Sequence, residues 1–134
     1  MSELTLIVVT PERTVLEQTV DFLALPLYDG EIGIASGRSP MIGRIGCGEM
    51  RLGRADSAQH YYIEGGFIEV LGNTVSILTN RALPASQIEV SAAEEQLAAA
   101  RTRPANTPEL MSIRDRAIDQ SRAQLRVARR AVSS

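Results

Sequence analysis

The side chains that could do acid–base, thiol or metal chemistry are few in this 134-residue chain. His60 is the only histidine and stands in the alternating run Gln59-His60-Tyr61-Tyr62-Ile63-Glu64. A general base needs a nucleophile and an orienting carboxylate, and no neighbour in the sequence supplies either, so His60 reads as an ordinary strand residue. A deep pocket holding it beside a buried carboxylate is the arrangement that would reopen an enzymatic reading. Cys47, the only cysteine, lies between Gly46 and Gly48 and reads as a small apolar filler rather than a reactive thiol. One cysteine and one histidine make neither an intrachain disulfide nor a Cys/His zinc cluster.

Gly43, Gly46 and Gly48 spell Gly-x-x-Gly-x-Gly, the wrong order for a dinucleotide loop, and no crossover helix follows; tight turns are the expectation. The paired carboxylates Glu94-Glu95 and Asp115/Asp119 fall on solvent faces of predicted helices. All fourteen basic residues are arginine, and the lack of lysine excludes Schiff-base chemistry and a lysine-dependent phosphate loop. These residues predict no catalytic residue, no cofactor and no metal site.

The one charged pattern with functional content is Arg122, Arg126 and Arg129/Arg130, an i, i+4, i+7/i+8 stripe. It is either a solvated face that complements a helix C-terminus or a surface for an acidic protein partner. Residues 1–84 hold six Arg against ten acids (net -4) and residues 85–134 eight Arg against six acids (net +2), so an acidic head carries a mildly basic tail. So small a patch without interleaved aromatics is a poor nucleic-acid footprint. Apolar residues at 44% and charged residues at 22% describe an ordinary globular core, poor in aromatics and built from Ile, Leu, Val and Ala. No stretch reads as a signal peptide or reaches the roughly 20 apolar residues of a membrane span.

The first 84 residues read as short strands broken by turns. Leu4–Val9 is β-branched and is stopped by Thr10-Pro11-Glu12. Thr19–Leu27 is apolar on both parities, as a buried strand is, with Pro26 near its end. Asp29-Gly30 marks a reversal, and short segments follow at 32–35, 41–45, 49–54, 59–64, 67–71 and 74–79, with a polar turn at 54–58. Gly65-Gly66 permits a bend before Phe67 and Val70 turn inward, opposite Ile68. Strands at this spacing with no helical pattern between them predict a sandwich or barrel.

Past residue 84 the period changes. Ser86 with Glu89 predicts a capping box, and Val90, Ala93, Leu97 and Ala100 share one helical face. Pro104 ends that helix. Thr107, Pro108 and Glu109 are the N-cap, first turn and favourable charge of a second helix, with a thin stripe of Leu110, Ile113, Ala117, Ser121, Leu125, Ala128 and Val132. The fold predicted is therefore an all-β sandwich over 1–84 followed by an α-helical hairpin of two antiparallel helices over 86–134, the hairpin weakly docked.

With these elements in place, several stretches resemble one family. Thr10-Pro11-Glu12, Asp29-Gly30-Glu31-Ile32-Gly33-Ile34, Gly65-Gly66-Phe67-Ile68-Glu69-Val70 with Asn73-Thr74-Val75-Ser76-Ile77-Leu78, and Leu125-Arg126-Val127 are similar, in order, to the epsilon subunit of F-type ATP synthases of the bacterial/chloroplast type. The resemblance implies a non-catalytic central-stalk subunit that couples c-ring rotation to the catalytic sector and restrains ATP hydrolysis. The sandwich would clamp the gamma subunit and rest on the c-subunit ring through Asp29, Gly30, Glu31, Gly33, Arg38, Pro40 and Met41. The hairpin would meet alpha and beta subunits, with Arg122, Arg126, Arg129 and Arg130 against beta. The membrane would be reached only through the complex, at the cytoplasmic face of a bacterial membrane or, alternatively, the stromal face of a thylakoid. Two departures stand out: Arg38 replaces the family's histidine in Ser36-Gly37-Arg38-Ser39-Pro40, and Ala92 replaces the arginine of an ATP-binding motif at Ile88–Ala93, so no useful ATP site is expected. The competing readings are an unrelated protein-binding sandwich with a helical appendage, and an enzyme with an unrecognised acid–base pair.

Overall fold

The computed structural model describes residues 3–54 and 58–133, the last two by backbone alone. Residues 55–57 of the expected polar turn and the Val132 side chain lie outside the described residues. Ten strands come first: β1 (Leu4–Val9), β2 (Thr14–Val20), β3 (Phe22–Leu27), β4 (Gly30–Ala35), β5 (Met41–Arg44), β6 (Cys47–Leu52), β7 (Gln59–Glu64), β8 (Phe67–Leu71), β9 (Thr74–Leu78) and β10 (Ala82–Pro84). A 3-10 turn at Ala85–Gln87 leads to α1 (Val90–Arg101) and α2 (Pro108–Ser133).

The strands form two five-stranded sheets, ordered β2-β1-β9-β8-β5 and β10-β7-β6-β3-β4. Alternate residues from both sheets meet in one core that includes Leu4, Leu6, Leu23, Leu25, Ile34, Met50, Ile63, Ile68 and Ile77, all fully buried. The core is aliphatic, as a chain short of aromatics requires. β1 and β9 are parallel neighbours; the other pairings within the sheets are antiparallel.

Three local readings of the sequence change. Residues 19–27 are not one strand: Val20 ends β2 in the first sheet and Phe22 begins β3 in the second, with Asp21 at the crossing. Apolar residues on both parities here mark a chain that changes sheets. Pairing of β3 with β6 covers only Leu23↔Leu52 and Ala24↔Arg51 before Pro26, which has no N–H to offer the ladder.

The glycines at 43, 46 and 48 are not turn glycines, since none has a positive φ. They are places of close approach: a Cβ on Gly46 would stand 2.9 Å from the Leu27 carbonyl oxygen. Gly30 likewise has no positive φ, and Gly33 lies within β4 beneath the Phe22 ring. Gly66 does bend the chain, with φ 104°. In β8 Ile68 and Val70 point inward while Phe67 is 58% exposed, so Val70 lies as expected and both Phe67 and Ile68 lie on the side opposite to the one expected.

The capping box also fails. Ser86 is taken up in the 3-10 turn, and Glu89 stands at the N-cap of α1 without a side-chain bond. The second helix starts as its sequence dictates, with Leu110 N–H donating to Thr107 Oγ1 at 3.1 Å. α1 and α2 pack along Ala93, Leu97 and Leu125. A second stripe on α2, Ala123 and Val127, is buried against the sandwich. The helix is therefore covered on two sides, more than its thin first stripe suggests.

Candidate protein-interaction site

The junction between sandwich and hairpin is built on the outward face of β6 and β7. Tyr62, fully buried, packs with Ala85, Ala123 and Val127, and Cys47, Ile88 and Ala131 close the cluster. Its hydroxyl donates to Glu64 Oε1 at 2.7 Å. Burial, reinforced by the Glu64 carboxylate, pushes the Tyr62 phenol far above its ordinary range, while a bond from Gln124 acts in the opposite sense. Burial and then the Glu64 charge push the Cys47 thiol up as well, which fits the filler expected of it.

Next to this cluster, Glu49 on β6 keeps only 8% of its side chain exposed. Arg130 Nη1 donates to Glu49 Oε1 at 2.8 Å, and His60 Nδ1 lies 3.1 Å from Oε2. They line a pocket of about 270 Å³ with Ala85, Ser86 and Ala131. Here is a histidine beside a buried carboxylate, the arrangement that would favour an enzyme. Its geometry serves a joint instead: Arg130 neutralises the carboxylate, and Ser86 makes no hydrogen bond to His60 among the described residues. A nucleophile–base–carboxylate relay is thus missing its first link. Sequence reasoning missed Glu49, Tyr62 and Gln124. Glu49 and Arg130 are 81 residues apart, and only the strand register and the docked helix bring them together.

The four candidate arginines of α2 do not form one patch. Arg129 pairs with Glu94 of α1 at 3.3 Å, Arg130 turns to Glu49, and Arg122 and Arg126 face a cleft beside Gly46 and Tyr28. Nor do the seven loop residues converge. Asp29, Gly30 and Glu31 stand at the start of β4 and Gly33 within it, while Arg38, Pro40 and Met41 follow its far end. A strand of this length separates its ends by roughly 20 Å. The Asp29 end neighbours Arg44, whose guanidinium stacks over Tyr28 at 4.4 Å. The Arg38 end neighbours the β8–β9 turn, where Ser36 Oγ donates to Asn73 Oδ1 at 3.2 Å.

The outward face of the first sheet carries an open apolar surface. Cross-strand partners share a face, so Phe67↔Leu78 and Arg44↔Phe67 place these side chains together on the outside. Phe67, Leu78, Ile42 and Leu71 are all more than half exposed. A groove of about 730 Å³ runs beside Val9, Pro11, Phe67 and Leu78. So many exposed large apolar side chains on one sheet face mark a protein-binding surface.

Residues 3–85 match the family described as ATP synthase, Delta/Epsilon chain, beta-sandwich domain. The ATP synthase epsilon chain of Rhodopirellula baltica is 45% identical over 123 residues, covering 92% of this chain and 96% of that one. The chain belongs to the ATP synthase delta/epsilon family. The epsilon chain of Magnetococcus marinus is 35% identical, with 88% of each chain covered. A chain of the Euglena gracilis mitochondrial ATP synthase, solved with its OSCP, F1 and c-ring, shares the fold at TM-score 0.81 and 18% identity, covering 100% of this chain and 83% of that one. A chain from the Tetrahymena thermophila central stalk and c-ring structure aligns at TM-score 0.72 and 10% identity, covering 93% and 96%. The resemblance read from the sequence is thereby confirmed, and the role that comes with this family is non-catalytic coupling within the rotor. Among the described residues, no helix is long and apolar enough to cross a membrane.

Proposed function

We propose that this chain is the central-stalk epsilon subunit that joins the c-ring to the catalytic sector of an ATP synthase, peripheral to the membrane, with residues 1–84 binding the stalk and 86–134 regulating hydrolysis. The observation that carries the reading is the open apolar face of the first sheet, in a chain whose family works inside a rotor. Ile42, Phe67, Leu71 and Leu78 offer a gamma subunit a surface that water alone does not favour.

The two ends of β4 then take different partners. Asp29, Gly30, Glu31 and Gly33 face the c-ring. Arg38, Pro40 and Met41 belong with the gamma side, because Pro40 and Met41 line a shallow groove continuous with Ile42 and Leu71. Arg122, Arg126, Arg129 and Arg130 meet acidic surface of the beta subunit when the hairpin lifts. In the docked hairpin, Glu94 and Glu49 occupy two of these arginines. Lifting the hairpin off the sandwich must therefore exchange Glu49 for a partner's carboxylate, while Glu94, on α1, travels with the hairpin.

The test is ATP hydrolysis by the matching alpha–beta–gamma complex, titrated with the full chain and with a truncation ending at Leu83. Saturable inhibition by the full chain, with binding kept and inhibition lost in the truncation, is the expected result. Equal inhibition by both would move regulation into the sandwich. Absence of binding by either would overturn the assignment.

A further inference from the structure

Glu49 holds two partners that belong to different parts of the molecule. Arg130 of α2 donates to its Oε1 at 2.8 Å, and His60 of β7 stands 3.1 Å from its Oε2. The carboxylate is almost buried and depends on these partners, whereas the His60 side chain is 40% exposed and can exchange protons with water. His60 and Glu49 lie on neighbouring strands and stay together when the hairpin lifts, while Arg130 leaves with α2. We propose that Glu49, His60 and Arg130 form a proton-operated latch: a proton taken up by His60 weakens the hold of Glu49 on Arg130, so mild acid lifts the hairpin from the sandwich. The proposal deepens the regulatory reading of residues 86–134 and rests on it for the lifting motion. The isolated chain carries the whole latch, so its test stands apart from the hydrolysis assay that tests that reading.

The direction follows from the charges each state offers the proton. In the docked chain a proton on His60 adds a second positive charge to a carboxylate that Arg130 already neutralises. With α2 lifted, the same proton replaces the counter-charge that left with Arg130. Covering the ring acts in the same sense, because Arg130 and Ala131 wall a pocket of about 270 Å³ beside it and burial disfavours the charged imidazole. The lifted state therefore binds the proton better, and docking weakens as pH falls through the range in which histidines titrate, about 5.5–7.5. The other charges around the ring do not change sides. Arg51 faces His60 across the β6–β7 ladder and pairs with Glu31, and Glu64 lies further along β7; all three stay with the sandwich. Ser86, from the 3-10 turn, does not titrate in this range, and among the described residues lining the pocket α2 contributes Arg130 and no acid.

Energy transfer between two dyes on the isolated full chain tests the latch. One dye sits at Glu17→Cys on β2 and the other at Asn106→Cys between the helices, with Cys47→Ala to keep labelling specific. Val127→Asp, which sets a charge against Tyr62, supplies the lifted reference. From pH 8 to pH 5.5 the docking equilibrium should fall about two- to fivefold, the worth of one partly exposed charge pair. Carboxylates ordinarily titrate near 4, below this window. His60→Asn keeps an amide N–H for Glu49 but cannot titrate, so its docking should stay constant across the window. Arg130→Gln should be less docked throughout and should lose the pH dependence. The latch is overturned if the parent labelled chain docks equally at both ends of the window, if His60→Asn declines as the parent does, or if Arg130→Gln keeps the full decline.

Discussion

Arg130, near the end of α2, reaches 2.8 Å to Glu49 on β6, so the last turns of the chain are fastened to the middle of the sandwich by a carboxylate that is almost buried. A second arginine–carboxylate contact of the hairpin, Arg129 with Glu94, joins two side chains that are each more than half exposed. The two pairs look alike in sequence and differ in what surrounds them.

That difference predicts unequal costs. Arg130→Ala leaves Glu49 with only His60 beside it and should cost about 1–3 kcal/mol of hairpin docking, because a buried carboxylate loses its charged partner. Arg129→Ala should cost at most about 0.5 kcal/mol, the ordinary worth of an exposed pair. Urea unfolding followed by far-ultraviolet dichroism reads both. Equal effects would mean that Glu49 is not the fastening point.

Tyr62 predicts a limit at high pH. Its phenol titrates higher in the docked protein than in an unfolded chain, where it ionises near 10. Above that value the unfolded state binds fewer protons than the native one, so stability falls as pH rises. The contribution is intact below about pH 10 and is lost progressively above it. Tyr62→Phe should cost about 1 kcal/mol at neutral pH, through the lost bond to Glu64, and should flatten the alkaline decline. A pH series of melting temperatures for the two proteins decides the point.

What the sequence disclosed and what it hid follow from the range of the interactions. Thr107 caps α2 as read, because an N-cap is settled within three residues. The strands at Leu4–Val9 and Thr74–Leu78 were legible, because a short apolar run bounded by turn residues needs no distant partner to be seen. The split at Asp21 was hidden, since alternation cannot tell a strand buried on both faces from a chain changing sheets. Phe67 was misplaced because Phe67 and Val70 lie three residues apart and cannot share a strand face; the two-residue period sets Phe67 with Glu69, away from Ile68 and Val70. The candidate arginines were found by spacing, but their dispersal depends on Glu49 and Glu94, which arrive from β6 and α1. Ser86 failed as a cap because the 3-10 turn claims it first.

Cys47 gives the hairpin a built-in reporter. It lies half-covered in the cluster of Tyr62, Ala123 and Val127, with its thiol pushed up by burial. Alkylation at pH 7.5 should be slow in the native chain, since little thiolate forms and access is limited. Val127→Asp puts a charge against Tyr62 and should free the helix while the sandwich core, which does not contain Val127, stays folded. Labelling should then speed up, because undocking both opens access to the thiol and relieves the burial that holds its pKa up. Unchanged labelling in a variant whose helices have demonstrably undocked would show that Cys47 is shielded by the sandwich alone.

The open sheet face makes the last prediction. Leu78 is 57% exposed and pairs across the strands with Phe67, so an acidic residue at either position meets water in the isolated chain. Phe67→Asp and Leu78→Asp should therefore shift stability by no more than about 1 kcal/mol, the usual range for exposed positions on a sheet. Against a gamma subunit the same substitutions would bury a charge in an apolar contact, a penalty of several kcal/mol when no partner is provided. Co-purification with the matching gamma subunit should be lost in both variants and retained in Glu17→Gln, on the strand at the opposite edge of that sheet from β5. Retained binding by Phe67→Asp and Leu78→Asp would move the gamma contact off this face and onto one of the two ends of β4, which substitutions at Glu31 and Arg38 would then distinguish.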